Sequence, residues 1–480
     1  MDLDDLLSPF PASRPLDPAE IADRVRRSER VLIVLDDDPT GTQSIADLPV
    51  LTQWEITDFE WALDVEAPAI YVLTNSRSFD PSTAERINRE VVTSAVKAAR
   101  ARGIRPVFAS RSDSTLRGHF PLEPEVIAAT LQELGEPPID GVVLVPAFPD
   151  AGRVTIGGLH GMVADGEFTP VGETEFARDS TFGYSSSRLA DWVEEKSEGR
   201  IPAAHVVELD LNVIRAGAER VSEVLASAAP GSVFAADVVN EDDLRQLGLG
   251  LELAEEEGRS YIYRVGPPFV RARIGQAPRP PLEVDRAGAS SAGTSGGLVV
   301  VGSHVGLTSR QLADLTARRP DAVVVELDVP SLLDAATAKA TVEDAVQRVV
   351  SALDENDVIV HSSRTLIRTD DPDESLAISR KVSDALVAVV RRTLAERPPR
   401  FVIAKGGITS SDVASRGLEI RRAMVRGSLF PGIVSVWEPA EGPAAGIPYI
   451  VFAGNVGSDT TLTEAVEKLS SRTQHSAARR

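Results

Sequence analysis

Short unbroken apolar runs alternate with amphipathic stretches along most of the chain. The runs at 31–35, 69–73, 107–109 and 142–145 are too short for helices and apolar throughout. That is the pattern of a parallel strand buried on both faces. Between the second and third runs lies a helical stretch, residues 81–102. It opens on Asp80-Pro81, an N-cap followed by proline at the first helical position, and closes near Gly103. Further strands are expected at 204–209 and 232–236. This strand–helix alternation predicts a mainly parallel sheet. Residues 1–20, rich in Pro, Asp and Ser, read as an extended arm.

Residues 281–297 are dominated by proline, glycine and serine and read as a linker. After it the alternation restarts, with strands expected at 298–301, 322–326, 358–360 and 401–404. Helices are expected at 308–318, 334–353, 374–396 and 459–471. The expected fold is therefore α/β with two domains, 1–280 and 298–480. Each should be a mainly parallel sheet flanked by helices, with a cleft between them.

Composition narrows the function classes. The chain has 480 residues, 42% hydrophobic and 25% charged, which suits a globular protein with a real core. Its 72 acidic and 50 basic residues give a formal net charge of −22, against the basic face that nucleic-acid binding needs. There is no cysteine, so disulfides, thiolate nucleophiles and cysteine metal sites are excluded. The first residues are acidic and lack the basic start of a secretory signal. No apolar run approaches the ~18 residues of a membrane span. These features lead to the expectation of a cytoplasmic protein. A homo-oligomer is compatible with the sequence.

In open α/β sheets, ligands bind beyond the carboxyl ends of the strands. In the first half those ends carry Asp36-Asp37-Asp38-Pro39-Thr40-Gly41, then Thr74-Asn75-Ser76-Arg77. Next come Ser110-Arg111-Ser112-Asp113-Ser114-Thr115-Leu116-Arg117-Gly118 and Pro149-Asp150-Ala151-Gly152-Arg153. Carboxylates, hydroxyls, an amide and arginines would converge on one edge. Such a mixture suits a small polyhydroxylated acid. Arginine can pair with its carboxylate, Asp and Asn can bind its hydroxyls, and one Asp can act as a base. The candidate substrate residues are Asp36, Asn75, Arg77, Arg111, Ser112, Asp113, Ser114 and Arg117, with Asp37 and Asp36 as candidate catalytic residues. Arg111 or Arg117 would hold the carboxylate.

The second half offers glycine and small hydroxylic residues at the same places. Gly302-Ser303-His304, His361-Ser362-Ser363-Arg364, Lys405-Gly406-Gly407-Ile408-Thr409 and Ala453-Gly454-Asn455-Val456-Gly457 each follow a strand. Glycine lets a backbone approach a ligand, and amides at helix starts favour phosphate. No Gly-Lys dipeptide occurs, so a Walker A loop is absent. Gly293-Thr294-Ser295-Gly296-Gly297 has nucleophile-elbow spacing but precedes a strand instead of following one. The 6 histidines show no metal-ligand spacing, and no set of metal ligands is assigned. Asp36-x-Asp38-x-Thr40 after an apolar strand also fits the first motif of haloacid-dehalogenase-type phosphatases, in which Asp36 would be the nucleophile. A non-catalytic sugar-acid sensor is a further alternative.

Taken together, Asp36-Asp37-Asp38-Pro39-Thr40-Gly41, Ser110 through Gly118, Lys405-Gly406-Gly407-Ile408-Thr409-Ser410 and Gly454-Asn455-Val456-Gly457 resemble the four-carbon acid sugar kinase family. Its members act on D-threonate, D-erythronate and 3-oxo-tetronate. The resemblance spans about 30 to 470. It implies a sugar-acid domain followed by a nucleotide domain, and ATP-dependent phosphorylation of a terminal hydroxyl with Mg²⁺. By the same resemblance ATP would contact Ser303, Gly406, Gly407, Ile408, Thr409 and Gly454. Many members carry an acidic residue where Ile408 stands, and Lys-Ser where this chain has Phe452-Ala453.

Overall fold

The computed structural model describes residues 1–283, 296–364 and 372–470. Residues 284–295 of the expected linker lie outside the described residues. So do His475 and the first three positions of the Gly293–Gly297 match. The chain divides into two compact units, Met1–Pro278 and Arg279–Arg480.

The first unit holds strands β1 (Arg30–Asp36), β2 (Leu48–Leu51), β3 (Ala69–Leu73), β4 (Arg105–Arg111) and β5 (Gly141–Val145). An antiparallel trio follows: β6 (Arg153–Ile156), β7 (Leu159–Ala164) and β8 (Glu167–Pro170). The unit ends with β9 (Val207–Leu209), β10 (Ser232–Ala236) and β11 (Tyr261–Val265). Its main sheet runs β2-β3-β1-β4-β11-β5-β10-β9, with every neighbouring pair parallel. The apolar runs are apolar because helices cover both faces. On one face Ile33, Ile70, Val72 and Phe108 pack against Ile87, Val91 and Val92 of the helix Pro81–Arg100.

The first 20 residues are not an extended arm. Asp2 caps a short helix, Leu3–Leu7, and Asp17 caps the helix Pro18–Arg27, whose proline occupies the first turn. Asp17-Pro18 is the same start signal as Asp80-Pro81. In the expected strand at 204–209, only Val207–Leu209 is extended, after a 3₁₀ turn at Ala203–His205. β1 begins on a buried ionic cluster: Arg273 holds Glu252 and Glu255 at 2.7 and 2.6 Å, and Arg30 reaches both. Removing one member of such a cluster leaves an uncompensated buried charge, at a cost of about 3–5 kcal/mol.

The second unit holds β12 (Leu298–Val301), β13 (Val323–Leu327), β14 (Val358–Ser362), β15 (Val402–Lys405), β16 (Arg422–Phe430), β17 (Ile433–Pro439) and β18 (Tyr449–Phe452). The order is β13-β14-β12-β15-β18-β17-β16, parallel up to β18 and antiparallel beyond it. Helices Gly306–Arg318 and Thr461–Ser470 cover one face through Leu312, Leu315, Leu462 and Val466. The expected helix at 334–353 is Ala338–Ala352, and a separate short helix, Val329–Leu333, precedes it. No helix among the described residues is long and apolar enough to cross a membrane.

Candidate active site

β1 and β4 are parallel neighbours, and their last residues, Asp36 and Arg111, stand directly across the register. Both are buried. Arg111 donates through Nε to the Asp36 carboxylate, through Nη2 to the Asp38 carbonyl and through Nη1 to the Ser112 carbonyl at 3.2 Å. One guanidinium thus fixes the ends of two strands. Burial pushes the Asp36 carboxyl up to about 8; Arg111 opposes this shift, while Asp37 and Asp38 add to it.

Asp37 is 2% exposed. It lies 3.2 Å from Arg111 Nη2 and 4.0 Å from Arg77 Nε, yet neither of its oxygens has a hydrogen-bond donor. Desolvation raises its pKa above the ordinary carboxylate range, against the pull of Arg77 and Arg111. Asp38 is lowered despite its burial, because Arg77 and Arg111 face it and Thr40 donates to it. Arg77 comes from the turn after β3, where Asn75 adopts a left-handed conformation and its amide bonds the Asp36 carbonyl at 3.2 Å. From there Arg77 reaches Asp38 at 2.5 Å and Asp113 at 3.7 Å.

The loop after β4 supplies the other wall. The Ser112 amide bonds the Val265 carbonyl at 2.9 Å, and the Ser114 carbonyl accepts from His160 Nε2 at 2.8 Å. Asp113 takes Arg117 Nε at 2.6 Å, and Arg117 also reaches Asp179 at 3.6 Å and lies over the Phe176 ring. Arg77 and Arg117 hold the Asp113 carboxyl below its usual range, against the desolvation of its buried position. Gly118, at φ +116°, passes so close that a Cβ would sit 2.7 Å from Arg264 and 3.1 Å from Asp37.

Asp36, Asp37, Asn75, Arg77, Arg111, Ser112, Asp113, Ser114 and Arg117 thus gather at one end of the first unit's sheet. Sequence reasoning passed over Arg264 and Glu123. Arg264, inside β11, pairs with Glu123, which also accepts from Ser76 at 2.6 Å and Ser110 at 2.8 Å. A lone arginine in an otherwise apolar run was the available signal.

In the second unit the ends of β12, β14, β15 and β18 meet. The Ser303 carbonyl accepts from Arg364 at 2.7 Å, and Thr308 Oγ1 donates to the Gly454 carbonyl at 2.9 Å. Gly406 has φ +124°, and a Cβ there would stand 3.0 Å from Ser303 Cβ. A Cβ on Gly454 would stand 2.8 Å from Ser303 Oγ. These glycines keep three backbone segments close together around Ser303. Gly407, Ile408 and Thr409 open the short helix Gly407–Asp412, with Ile408 57% exposed and Thr409 buried. Lys405 is fully buried and bonds the Ala453 carbonyl at 2.6 Å; desolvation pulls its pKa down to about 7. A backbone cradle without bulky side chains, beside a buried lysine and Arg364, fits the phosphates of a nucleotide.

Residues 32–273 match the model of a sugar-binding N-terminal domain, and residues 298–462 that of a nucleotide-binding C-terminal domain. The chain is thus a two-domain α/β protein of the class that joins a sugar site to a nucleotide site. It is 30% identical over 347 residues to a D-erythronate kinase of Heliobacterium modesticaldum, covering 68% of this chain and 70% of the relative. It is 26% identical over 383 residues to a D-threonate kinase of Salmonella typhimurium, covering 75% and 80%. The chain belongs to the four-carbon acid sugar kinase family. Crystal structures of a Haemophilus influenzae and a Salmonella typhimurium protein share the fold, with TM-scores of 0.59 and 0.64. At 19% and 18% identity they cover 91% of this chain and 99% and 98% of theirs.

Proposed function

We propose that this protein is an ATP-dependent kinase that phosphorylates the terminal hydroxyl of a four-carbon sugar acid of the erythronate or threonate type. The observation that carries this reading is Asp37, a buried carboxylate in the sugar-binding domain with both oxygens free of hydrogen-bond donors. A hydroxyl is the ligand such a group lacks. Asp37 accepts the hydroxyl's hydrogen, orients the oxygen for attack and takes the proton as the bond to phosphorus forms. Its raised pKa makes it a stronger base than an exposed aspartate. Arg77 and Arg111 flank Asp37 and moderate its charge, while Asn75 and Asp113 stand where further hydroxyls bind.

Ser303, Gly406, Gly407, Ile408, Thr409 and Gly454 hold the ATP phosphates through backbone and hydroxyl groups, with Arg364 and Lys405 as nearby cations. Magnesium travels with those phosphates and neutralises their charge, as is general in phosphoryl transfer. No cluster of three carboxylates and histidines suited to caging a metal occurs among the described residues.

The phosphatase reading would make Asp36 a nucleophile. Its carboxylate is already bound by Arg111, and Gly41 packs so closely that a Cβ there would overlap it. The deciding experiment is a coupled assay of ADP release with ATP, Mg²⁺ and a panel of four-carbon sugar acids, with NMR of the product. Turnover that depends on one acid and gives a terminal phosphate ester is expected. Phosphate release from a phospho-acid without ATP indicates the phosphatase, and acid binding without turnover the sensor.

A further inference from the structure

Arg153 opens β6, next to the left-handed Gly152, and its backbone pairs with Phe148 and Met162. The hairpin it belongs to is pinned to the loop after β4. His160 bonds Thr155 Oγ1 through Nδ1 at 2.9 Å and the Ser114 carbonyl through Nε2 at 2.8 Å. Each of the other arginines around this site already has a carboxylate: Arg77 has Asp38, Arg111 has Asp36, Arg117 has Asp113 and Arg264 has Glu123. Arg153 makes no side-chain hydrogen bond or ion pair among the described residues, and its Nε is shut off from solvent without a partner. It lies within electrostatic reach of Asp113, Arg117 and His160, which puts its charge on the side of the substrate loop.

A partly desolvated cation with no bonded counterion is unfavourable by itself. A protein that keeps one at its sugar site gains from it when an anion arrives. The paired arginines are poorer receivers, because an incoming carboxylate would have to compete with an anion already in place. We propose that Arg153 receives the substrate's carboxylate and so sets the preference for sugar acids over uncharged polyols. This rests on the kinase reading above. Arg111 and Arg117, the two that the sequence offers for that role, already hold carboxylates: Arg111 ties β1 to β4 through Asp36, and Arg117 pairs with Asp113.

The test compares wild type, Arg153→Gln and Arg153→Lys on D-erythronate and D-threonate against the uncharged erythritol and threitol. Loss of a charge-assisted contact should raise KM for the acid roughly 10- to 100-fold in Arg153→Gln. KM for ATP should stay unchanged, and the preference for acid over tetritol should collapse. Arg153→Lys should recover part of that preference. The melting temperature of Arg153→Gln should be equal to or above that of wild type, since no hydrogen-bond or ion-pair partner among the described residues is lost. A preserved acid preference with a lowered melting temperature would assign Arg153 a structural role. An equal fall in kcat for acid and tetritol would place it on the transferring phosphoryl group. Either result overturns the proposal. Calorimetric binding of the acid separates the two readings. If wild type binds acid without turnover, the kinase reading fails, and weaker binding by Arg153→Gln still supports the role of Arg153. If wild type binds no acid, both fail.

Discussion

Replacing Asp37 by Asn removes the base while keeping its shape. Arg111 keeps the Asp36 carboxylate and the Asp38 carbonyl, and Arg77 keeps Asp38 at 2.5 Å and Asp113 at 3.7 Å. Neither arginine is orphaned, so the fold should survive with little change in melting temperature. Substrate and nucleotide should still bind. Turnover should fall by roughly 10²–10⁴-fold, the range for a lost acid–base group, or about 3–5 kcal/mol in the barrier. The pH profile gives an independent reading. A base works only when deprotonated, so kcat/KM should rise with pH through an acidic limb. That limb should lie above the ordinary carboxylate range, because desolvation raises Asp37. Asp36, pushed up to about 8, shares the strand end, so the limb belongs to the two groups jointly. In Asp37→Asn its position should move. The assay is steady-state kinetics of ADP release from pH 5 to about 9. Full activity in Asp37→Asn, or an unchanged acidic limb, refutes the assignment.

Acid-quenched enzyme in turnover should carry no phosphoaspartate by mass spectrometry; a phosphoryl mass gain at Asp36 would establish the phosphatase-type mechanism instead. Gly454→Val places a side chain against Ser303 and should raise KM for ATP at least tenfold, with KM for the acid near wild type. Lys405 has a folded-state pKa of about 7, below the ordinary lysine value, so the unfolded chain holds more protons between the two and stability here rises with pH across that window. Lys405→Met should therefore raise the melting temperature of the ligand-free protein most at pH 7 and below. Differential scanning fluorimetry should show that gain shrinking toward pH 10.

The strands that sequence reading found are those that parallel packing makes uniformly apolar, such as β1, β3 and β5. β11 escaped it because buried Arg264 interrupts the run, and that arginine is tolerable only because Glu123 neutralises it. β16 escaped it for the opposite reason. Its burial alternates residue by residue, as in a strand with one face covered, and Arg422, Met424, Arg426 and Ser428 take the less buried side. The helix Pro18–Arg27 was hidden by the polar composition around it. At the site, the strand-end rule located the loops, because it depends only on where each apolar run stops. It could not pair the charges. Whether Arg111 or Arg153 carries a counterion depends on how the β6–β7 hairpin and β4 lie in space, and adjacency along the chain holds no trace of that.

The face-to-face position of Asp36 and Arg111 has a consequence for how the sheet assembles. Hydrophobic patterning discriminates weakly between alignments of β1 and β4, because both faces of each strand are apolar and a slip by one residue still buries oil against oil. The ion pair is a mark that only one alignment satisfies. Displaced by a single step, the strands would leave a carboxylate and a guanidinium buried apart, a penalty no apolar contact offsets. A correctly matched chain arrives with its strand end neutralised and Asp37 set beside Arg111 in the same event. The contact that shapes the reactive end thus also works as a proofreading device for the sheet, and chains that fail the check lack the site as well as the fold.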